Sequence, residues 1–91
     1  FLLWTLDPDA GHATNQHGHR VALDPFLGVM GVAPAEPGMH STIPPRTTGG
    51  NMDCRELRAG STLYLPIPVE DALFSTGDGH AAQGDAEQTF A

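Results

Sequence analysis

The density of glycine and proline restricts the fold of this chain more than any other feature of its sequence. Its 91 residues include 11 glycines and 8 prolines, whereas average usage would put the two types at roughly 12% of residues. Proline removes a backbone donor and blocks the helix interior, and glycine weakens helices. The composition therefore favours strands, turns and loops over long helices.

The chain is small for an independent domain. At this size only roughly 60–70% of the unfolded surface is buried on folding, while ordering the backbone and side chains costs on the order of 140 kcal/mol. Cys54 is the single cysteine, so an intrachain disulfide is excluded. Since the chain also begins at Phe1 rather than Met, we expect residues 1–91 to be one segment of an incomplete domain.

The charge balance excludes several classes of partner. Four basic residues stand against 11 acidic ones, a net charge of −7, which opposes binding to a phosphate backbone. The apolar opening FLLWTL is far shorter than the ~20 residues of a membrane span, and it lacks the basic flank and cleavage site of a signal peptide. The sequence predicts a cytoplasmic protein that binds neither nucleic acid nor membrane, with small neutral substrates or cations as ligands.

The first half of the chain predicts strands separated by long connections. Apolar residues occupy odd and even positions alike in residues 1–6, which indicates a strand buried on two faces. Residues 10–20 are polar and predict a loop or hairpin connection, followed by a short strand at 21–23. The apolar, β-branched segment 26–33 predicts a central buried strand. The prolines and glycines of 34–50 predict a long functional loop.

The second half predicts an edge strand and a strand that leads into a polar cluster. Residues 53–58 fit one helical turn with Asp53 as its N-cap. In segment 63–69, the odd-numbered positions are apolar and should lie on one face of a strand. Pro66 and Pro68 remove backbone N–H donors from one edge of this strand, so we expect this edge to make no hydrogen bonds to another strand. Residues 72–76 predict a further strand, which delivers the cluster beginning at Gly77 to the end of a sheet.

That polar cluster is the strongest candidate for a functional site. Asp78, His80, Asp85 and Glu87 lie within ten residues and are interleaved with glycines that permit a tight turn. Zinc accepts imidazole nitrogen and carboxylate oxygen, whereas calcium prefers carboxylates and carbonyls without imidazole. The donor types therefore favour zinc over calcium. The alternative is a solvated acidic turn with an exposed histidine.

A second candidate lies in the segment GGNMDC. The backbone amides of Gly49, Gly50 and Asn51 are suited to an anion or oxyanion nest, although a plain turn is the more common explanation of two adjacent glycines. Asp53 is either a helix cap or a metal ligand. Cys54 lacks the basic partner needed to argue for a thiolate nucleophile, which favours a buried structural thiol.

Four blocks of sequence, in order, resemble the acetamidase/formamidase family of metal-associated amidases. The blocks are 26–34 (FLGVMGVAP), 49–54 (GGNMDC), 63–68 (LYLPIP) and 72–85 (ALFSTGDGHAAQGD). The resemblance implies a mainly β fold of stacked or sandwiched sheets with little helix, forming part of a larger β-rich amidase. Family members are several times longer than this chain.

The resemblance also implies roles for individual residues. Asp53, Asp78 and His80 correspond to metal ligands, and Asp85 and Glu87 to general bases. Ala86 stands where the family usually has glycine, and residues 88–91 depart from the family pattern.

Two functional hypotheses follow from these residues and the resemblance. In the first, a divalent metal, zinc or else calcium, activates water to hydrolyse a small linear amide such as formamide or acetamide to a carboxylate and ammonia. The amides of Gly49, Gly50 and Asn51 would stabilise the oxyanion. In the second, the chain is a non-catalytic metal-binding or structural β-module that needs a partner chain. A homo-oligomer or a complementing segment of a longer chain is the expected assembly.

Overall fold

A computed structural model describes residues 1–84 and shows two separate three-stranded sheets. The strands are β1 (Trp4–Asp7), β2 (His12–Asn15), β3 (Arg20–Ala22), β4 (Phe26–Gly31), β5 (Gly49–Asn51) and β6 (Ser75–His80). All pairings are antiparallel, in the orders β1-β2-β3 and β5-β4-β6. No helix occurs in this part of the chain, which confirms the prediction of a mainly β fold. Accordingly, residues 1–84 hold no helix that is long and apolar enough to cross a membrane.

The first sheet differs from the sequence prediction in two respects. Strand β1 is exposed along its whole length, so the prediction of a strand buried on both faces was wrong. Among residues 1–84 it lies at a sheet edge and pairs only with β2. Strand β2 lies within the segment predicted as a polar loop or hairpin connection, and its Ala13 is only 1% exposed. Asn15 closes the β2–β3 hairpin, because its Oδ1 accepts the amides of His17 and His19.

The second sheet is built around β4, as the apolar segment 26–33 predicted. β4 pairs with β5 on one side and with β6 on the other, so strands distant in sequence become neighbours. Phe26, at the start of β4, is 5% exposed. Phe26 and Ala13 are the only buried hydrophobic side chains in residues 1–84, so this part of the chain has a small hydrophobic core.

Two segments near the second sheet did not form the predicted elements. Residues 53–58 contain a single turn, closed by a hydrogen bond from Leu57 N to Cys54 O, and not a helical turn capped by Asp53. Asp53 has a φ of 45°, whereas an N-cap residue adopts an extended backbone. Segment 63–69 forms no ladder. The donors lost at Pro66 and Pro68 account for the unpaired edge, but the whole segment is unpaired.

The last strand begins later and ends later than predicted. Asp71, Ala72 and Leu73 have positive φ values of 65°, 60° and 55°, so the chain turns there and cannot be extended. Strand β6 starts at Ser75 and continues to His80. The segment GDGH is therefore part of a strand and not the tight turn that its glycines predicted.

The two sheets are joined through loops and not by packing of strand on strand. Within residues 1–84, no strand of one sheet contacts a strand of the other. Asp24 N donates to Ala81 O, which ties the segment after β3 to the end of β6. An exposed ion pair of 2.6 Å between Arg58 and Asp24 lies at the same junction. The second sheet therefore positions the candidate site largely by itself.

Candidate metal centre

The fold brings Asp53, Asp78 and His80 together. One ligand atom from each residue lies within 4.8 Å of the other two. His80 Nε2 is 3.1 Å from Asp78 Oδ2 and 3.3 Å from Asp53 Oδ1. It is the only such group of His, Cys, Asp and Glu side chains in the described part of the chain. We refer to these three residues as the triad.

The pairing of strands explains why the triad converges. Asp78 and His80 are two residues apart in β6, so their side chains lie on one face of the sheet. His80 is directly opposite Phe26 of β4. Asp53 follows β5 on the other side of β4, where the amides of Met52 and Asp53 both donate to Gly28 O, at 3.0 and 3.1 Å. The central strand β4 therefore binds both segments that supply the triad: β6 with Asp78 and His80, and the residues after β5 with Asp53.

Two of the three triad residues have an unusual backbone. Asp53 and Asp78 have φ values of 45° and 59°, in the left-handed region that only a few per cent of non-glycine residues adopt. Aspartate tolerates this region better than most residues. Such conformations still cost on the order of 1–3 kcal/mol each, and they cluster at functional sites. The surrounding sheet must supply this free energy.

The ring of His80 is held by packing as well as by hydrogen bonding. It stacks on Phe26 with ring centroids 4.7 Å apart and an angle of 22° between the ring planes. The His80 side chain is 13% exposed, compared with 49% for Asp78. The triad is therefore buried on the side of His80 and open to solvent on the side of Asp78.

The donor atoms of the triad fit a divalent cation. Asp53 Oδ1 is buried and has no hydrogen-bond partner among residues 1–84, although His80 Nε2 lies near it. A buried carboxylate oxygen without a partner is costly, and a cation would compensate it. One imidazole nitrogen and two carboxylate oxygens are a donor set that zinc accepts, and three protein ligands leave a position open. The arrangement can therefore hold a cation beside a reactant.

Gln83 connects the triad to the segment that follows β6. Its Nε2 donates to the backbone oxygen of Asp53, across 30 residues of sequence. Its Oε1 is buried and has no hydrogen-bond partner among the described residues. Gln83 therefore fixes the backbone of Asp53, one of the three triad residues.

Replacing Gln83 is expected to weaken both the fold and cation binding. Gln83→Ala removes one hydrogen bond, which should lower the free energy of unfolding by about 0.5–1.5 kcal/mol. Loss of an outer partner of a ligand should weaken zinc affinity by roughly 10-fold or more. Gln83→Glu should be worse than Gln83→Ala, because it turns an oxygen towards the oxygen of Asp53. Chemical denaturation and zinc titration measure the two effects, and a harmless Gln83→Glu would contradict this role.

The other predicted site residues lie in different places. Asp85 and Glu87, the predicted general bases, fall outside the residues that the structure describes. Gly49, Gly50 and Asn51 form strand β5, where Gly49 N already donates to Arg46 O and Asn51 Nδ2 to Ile43 O. The amide of Gly49 is thus engaged in the turn at residues 46–49. A role of this segment at an oxyanion stays a prediction.

Cys54, next to Asp53 in sequence, is half-buried and is not in the triad. Its thiol donates a hydrogen bond of 3.3 Å to Glu56 Oε2. This bond, together with a backbone hydrogen bond and the nearby charges of Arg55 and Arg58, lowers the pKa of the Glu56 carboxyl. The thiol is therefore a hydrogen-bond donor to an exposed carboxylate, and it is half-buried and not buried as predicted.

Sequence reasoning did not identify Phe26 and Gly28 as neighbours of the triad. Both belong to the segment FLGVMG, for which the sequence predicts a central buried strand and no site residue. The signal that connects them to the site is the register of β4 with β6, in which Phe26 is opposite His80. That register is a property of the folded sheet and is not visible in the local pattern.

Comparisons with known proteins bear on the identity of the site. Formamidase of Methylophilus methylotrophus is 51% identical over 49 residues, and acetamidase of Mycolicibacterium smegmatis is 47% identical over 49 residues. Each match covers 54% of this chain and 12% of the relative. The chain therefore spans a small part of the length of these curated relatives.

A solved structure and a family model agree with these relatives. The crystal structure of an acetamidase from Bacillus halodurans superposes with a TM-score of 0.74 at 39% identity, over 82% of this chain and 25% of that chain. The model of the Acetamidase/Formamidase family matches residues 35–91, which include all three triad residues. Because this match covers more than half of the chain, it confirms the resemblance inferred from the sequence, and the chain belongs to the acetamidase/formamidase family.

Proposed function

We propose that this chain carries the metal site of an amidase that hydrolyses a small linear amide, of the formamide or acetamide type, to a carboxylate and ammonia. The observation that supports it is the convergence of Asp53, Asp78 and His80 within 4.8 Å. The names formamidase and acetamidase of the similar proteins supply the reaction class. The activity is proposed for the whole protein, of which this chain forms a part.

The triad holds the cation in this proposal. Zinc is favoured because His80 contributes nitrogen and the aspartates contribute oxygen, and calcium is the second candidate. When bound, a divalent cation polarises a carbonyl and lowers the pKa of water to about 7. His80 stays oriented by its stack on Phe26, and Asp53 stays in place through the hydrogen bonds of its backbone to Gly28 and Gln83.

Proton transfer is assigned to the acidic residues that follow β6. Asp85 and Glu87 are proposed to accept a proton from the attacking water and to return one to the leaving nitrogen. General acid–base catalysis of this kind contributes typically ~10²–10⁴-fold. Backbone amides near Gly50 are proposed to stabilise the oxyanion of the tetrahedral intermediate.

Access to the triad is consistent with a small substrate. Asp78 is half exposed, whereas His80 and Asp53 are 13% and 20% exposed. A small neutral amide can therefore approach on the side of Asp78, while the sheet covers the opposite side. The net charge of −7 favours a cation and does not repel a neutral amide.

The extent of exposed apolar surface favours a second candidate function. Large apolar residues are exposed across both sheets and their connections, with the fractions 61% for Leu3, 52% for Leu6, 89% for Tyr64 and 64% for Leu73. Such surface is typical of an interface. In this alternative the chain is a non-catalytic metal-binding or structural β-module, covered by a second copy or by another segment of a longer chain.

Metal analysis and ammonia release distinguish the two functions. We expect the purified full-length protein to contain about one zinc per triad and to release ammonia from formamide or acetamide. Intact mass in the same preparation establishes the chain to which the metal belongs. Bound metal without ammonia release from either amide would favour the non-catalytic module, and absence of bound metal would overturn the metal site.

A further inference from the structure

The triad converges on a single backbone position in the central strand. A methyl carbon on residue 28 would lie 2.5 Å from Asp53 Oδ1, 2.6 Å from Asp78 Oδ2 and 2.7 Å from His80 Nε2. Carbon–oxygen and carbon–nitrogen contacts this short do not occur in folded proteins. All three predicted ligand atoms therefore occupy the space that any side chain at residue 28 would need.

The register of the sheet explains this convergence. The pairs Leu27↔Gly79 and Val29↔Gly77 of strands β4 and β6 flank Gly28, so Gly28 is across from Asp78. Residues opposite each other in an antiparallel pair project to the same face. On the other edge of β4, the carbonyl of Gly28 accepts the amides of Met52 and Asp53. Gly28 is thus the point where both neighbouring segments meet.

Backbone conformation does not account for glycine at this position. Gly28 is within β4 and is not among the glycines with positive φ. Gly49 differs, because its φ of 92° lies in the region that other residues avoid. An alanine at residue 28 would therefore be acceptable to the strand, and the conflict arises only with the three ligand atoms.

We propose that Gly28 is a positioning residue, whose missing side chain forms the recess in which the carboxylates of Asp53 and Asp78 and the imidazole of His80 converge. The purpose of the recess rests on the proposed metal site, whereas the packing argument does not. The three short contacts involve ends of side chains, which can rotate away from a methyl group. Alanine at residue 28 thus spares the sheet and disperses the ligands.

The test compares Gly28→Ala with Gly77→Ala in the full-length protein. Gly77 lies in β6 next to Asp78, but a methyl group there would meet no atom within 4 Å. Loss of an outer element of a metal site typically weakens affinity by about 10- to 100-fold, so we expect a loss of that size in zinc titrations of Gly28→Ala. Gly77→Ala should bind zinc like the wild type. Equal affinity of Gly28→Ala and wild type would overturn the proposal.

A second measurement does not depend on a metal. In the metal-free protein with ¹³C-labelled histidine, the ring signals of His80, assigned by their loss in His80→Ala, should shift in Gly28→Ala and stay in place in Gly77→Ala. Unchanged signals in Gly28→Ala would refute the proposed recess. If the wild type binds no zinc, the proposed function fails, and these signals still decide the role of Gly28.

A compensating variant covers the case in which Gly28→Ala does not fold. Adding Asp78→Gly and His80→Ala removes two of the three colliding atoms, and glycine suits the φ of 59° at residue 78. We expect this triple variant to recover the circular dichroism spectrum of the wild type. If it folds no better than Gly28→Ala, the side chains at residues 78 and 80 are not what excludes a methyl group at residue 28, and the proposal is wrong.

Discussion

Replacing His80 by alanine in the full-length protein is expected to abolish both the metal binding and the amidase activity that we propose for it. His80 contributes the only nitrogen of the triad, and its Nε2 lies 3.1 and 3.3 Å from the two carboxylate oxygens. Polarisation by a metal ion is worth several kcal/mol, so activity should fall on the order of 10³-fold or more. Elemental analysis and ammonia release from formamide or acetamide measure the two losses.

A matched control for this variant is His17→Ala. His17 is exposed in the turn between β2 and β3, where its backbone amide donates to Asn15 Oδ1, and it is not in the triad. We expect this variant to keep the metal content and activity of the wild type. If His80→Ala retained its metal, His80 would not be a ligand, whatever happened to the activity. If it retained both, the metal site proposed for the triad would be wrong.

The chemistry of the candidate site could be predicted from the sequence because it depends on a few residue types in short segments. The blocks GGNMDC and GDGHA contain all three triad residues. Their proximity could not be predicted from the local pattern, since Asp53 and Asp78 are 25 residues apart in the chain. Only the strand order β5-β4-β6 brings them to one face. Strands β5 and β6 are consecutive in sequence, but β4 lies between them in the sheet.

The errors in the predicted fold have physical causes in individual strands. Three of the four residues of β2 are polar, yet its pairing on both sides and the side chain of Asn15 stabilise it as a strand. The apolar side chains of β1, Trp4 and Leu6, remain exposed because no layer covers them within residues 1–84. Local hydrophobicity predicts burial only when a second layer is present. Both errors therefore arise because the burial and pairing of a strand depend on its neighbours in the fold and not on its own residues alone.

The role of Phe26 gives a second large expected effect, on stability as well as on the site. Phe26 is one of two buried hydrophobic residues in residues 1–84, and its ring stacks on His80. Phe26→Ala should lower the free energy of unfolding by about 3–5 kcal/mol, the usual range for this substitution in a core. Since domains are typically stable by about 5–15 kcal/mol, this is a large share. Chemical denaturation of the full-length protein measures it.

Phe26→Leu and Leu27→Ala separate the two contributions of the phenylalanine. Leu27 is adjacent in β4 but projects to the other face and is 37% exposed, so Leu27→Ala should cost much less stability than Phe26→Ala. Phe26→Leu keeps an apolar side chain and loses the stack on His80. We expect it to fold, with a smaller loss of stability, but to bind zinc more weakly than Leu27→Ala. Zinc affinity unchanged in Phe26→Leu would show that packing against Phe26 does not orient the imidazole.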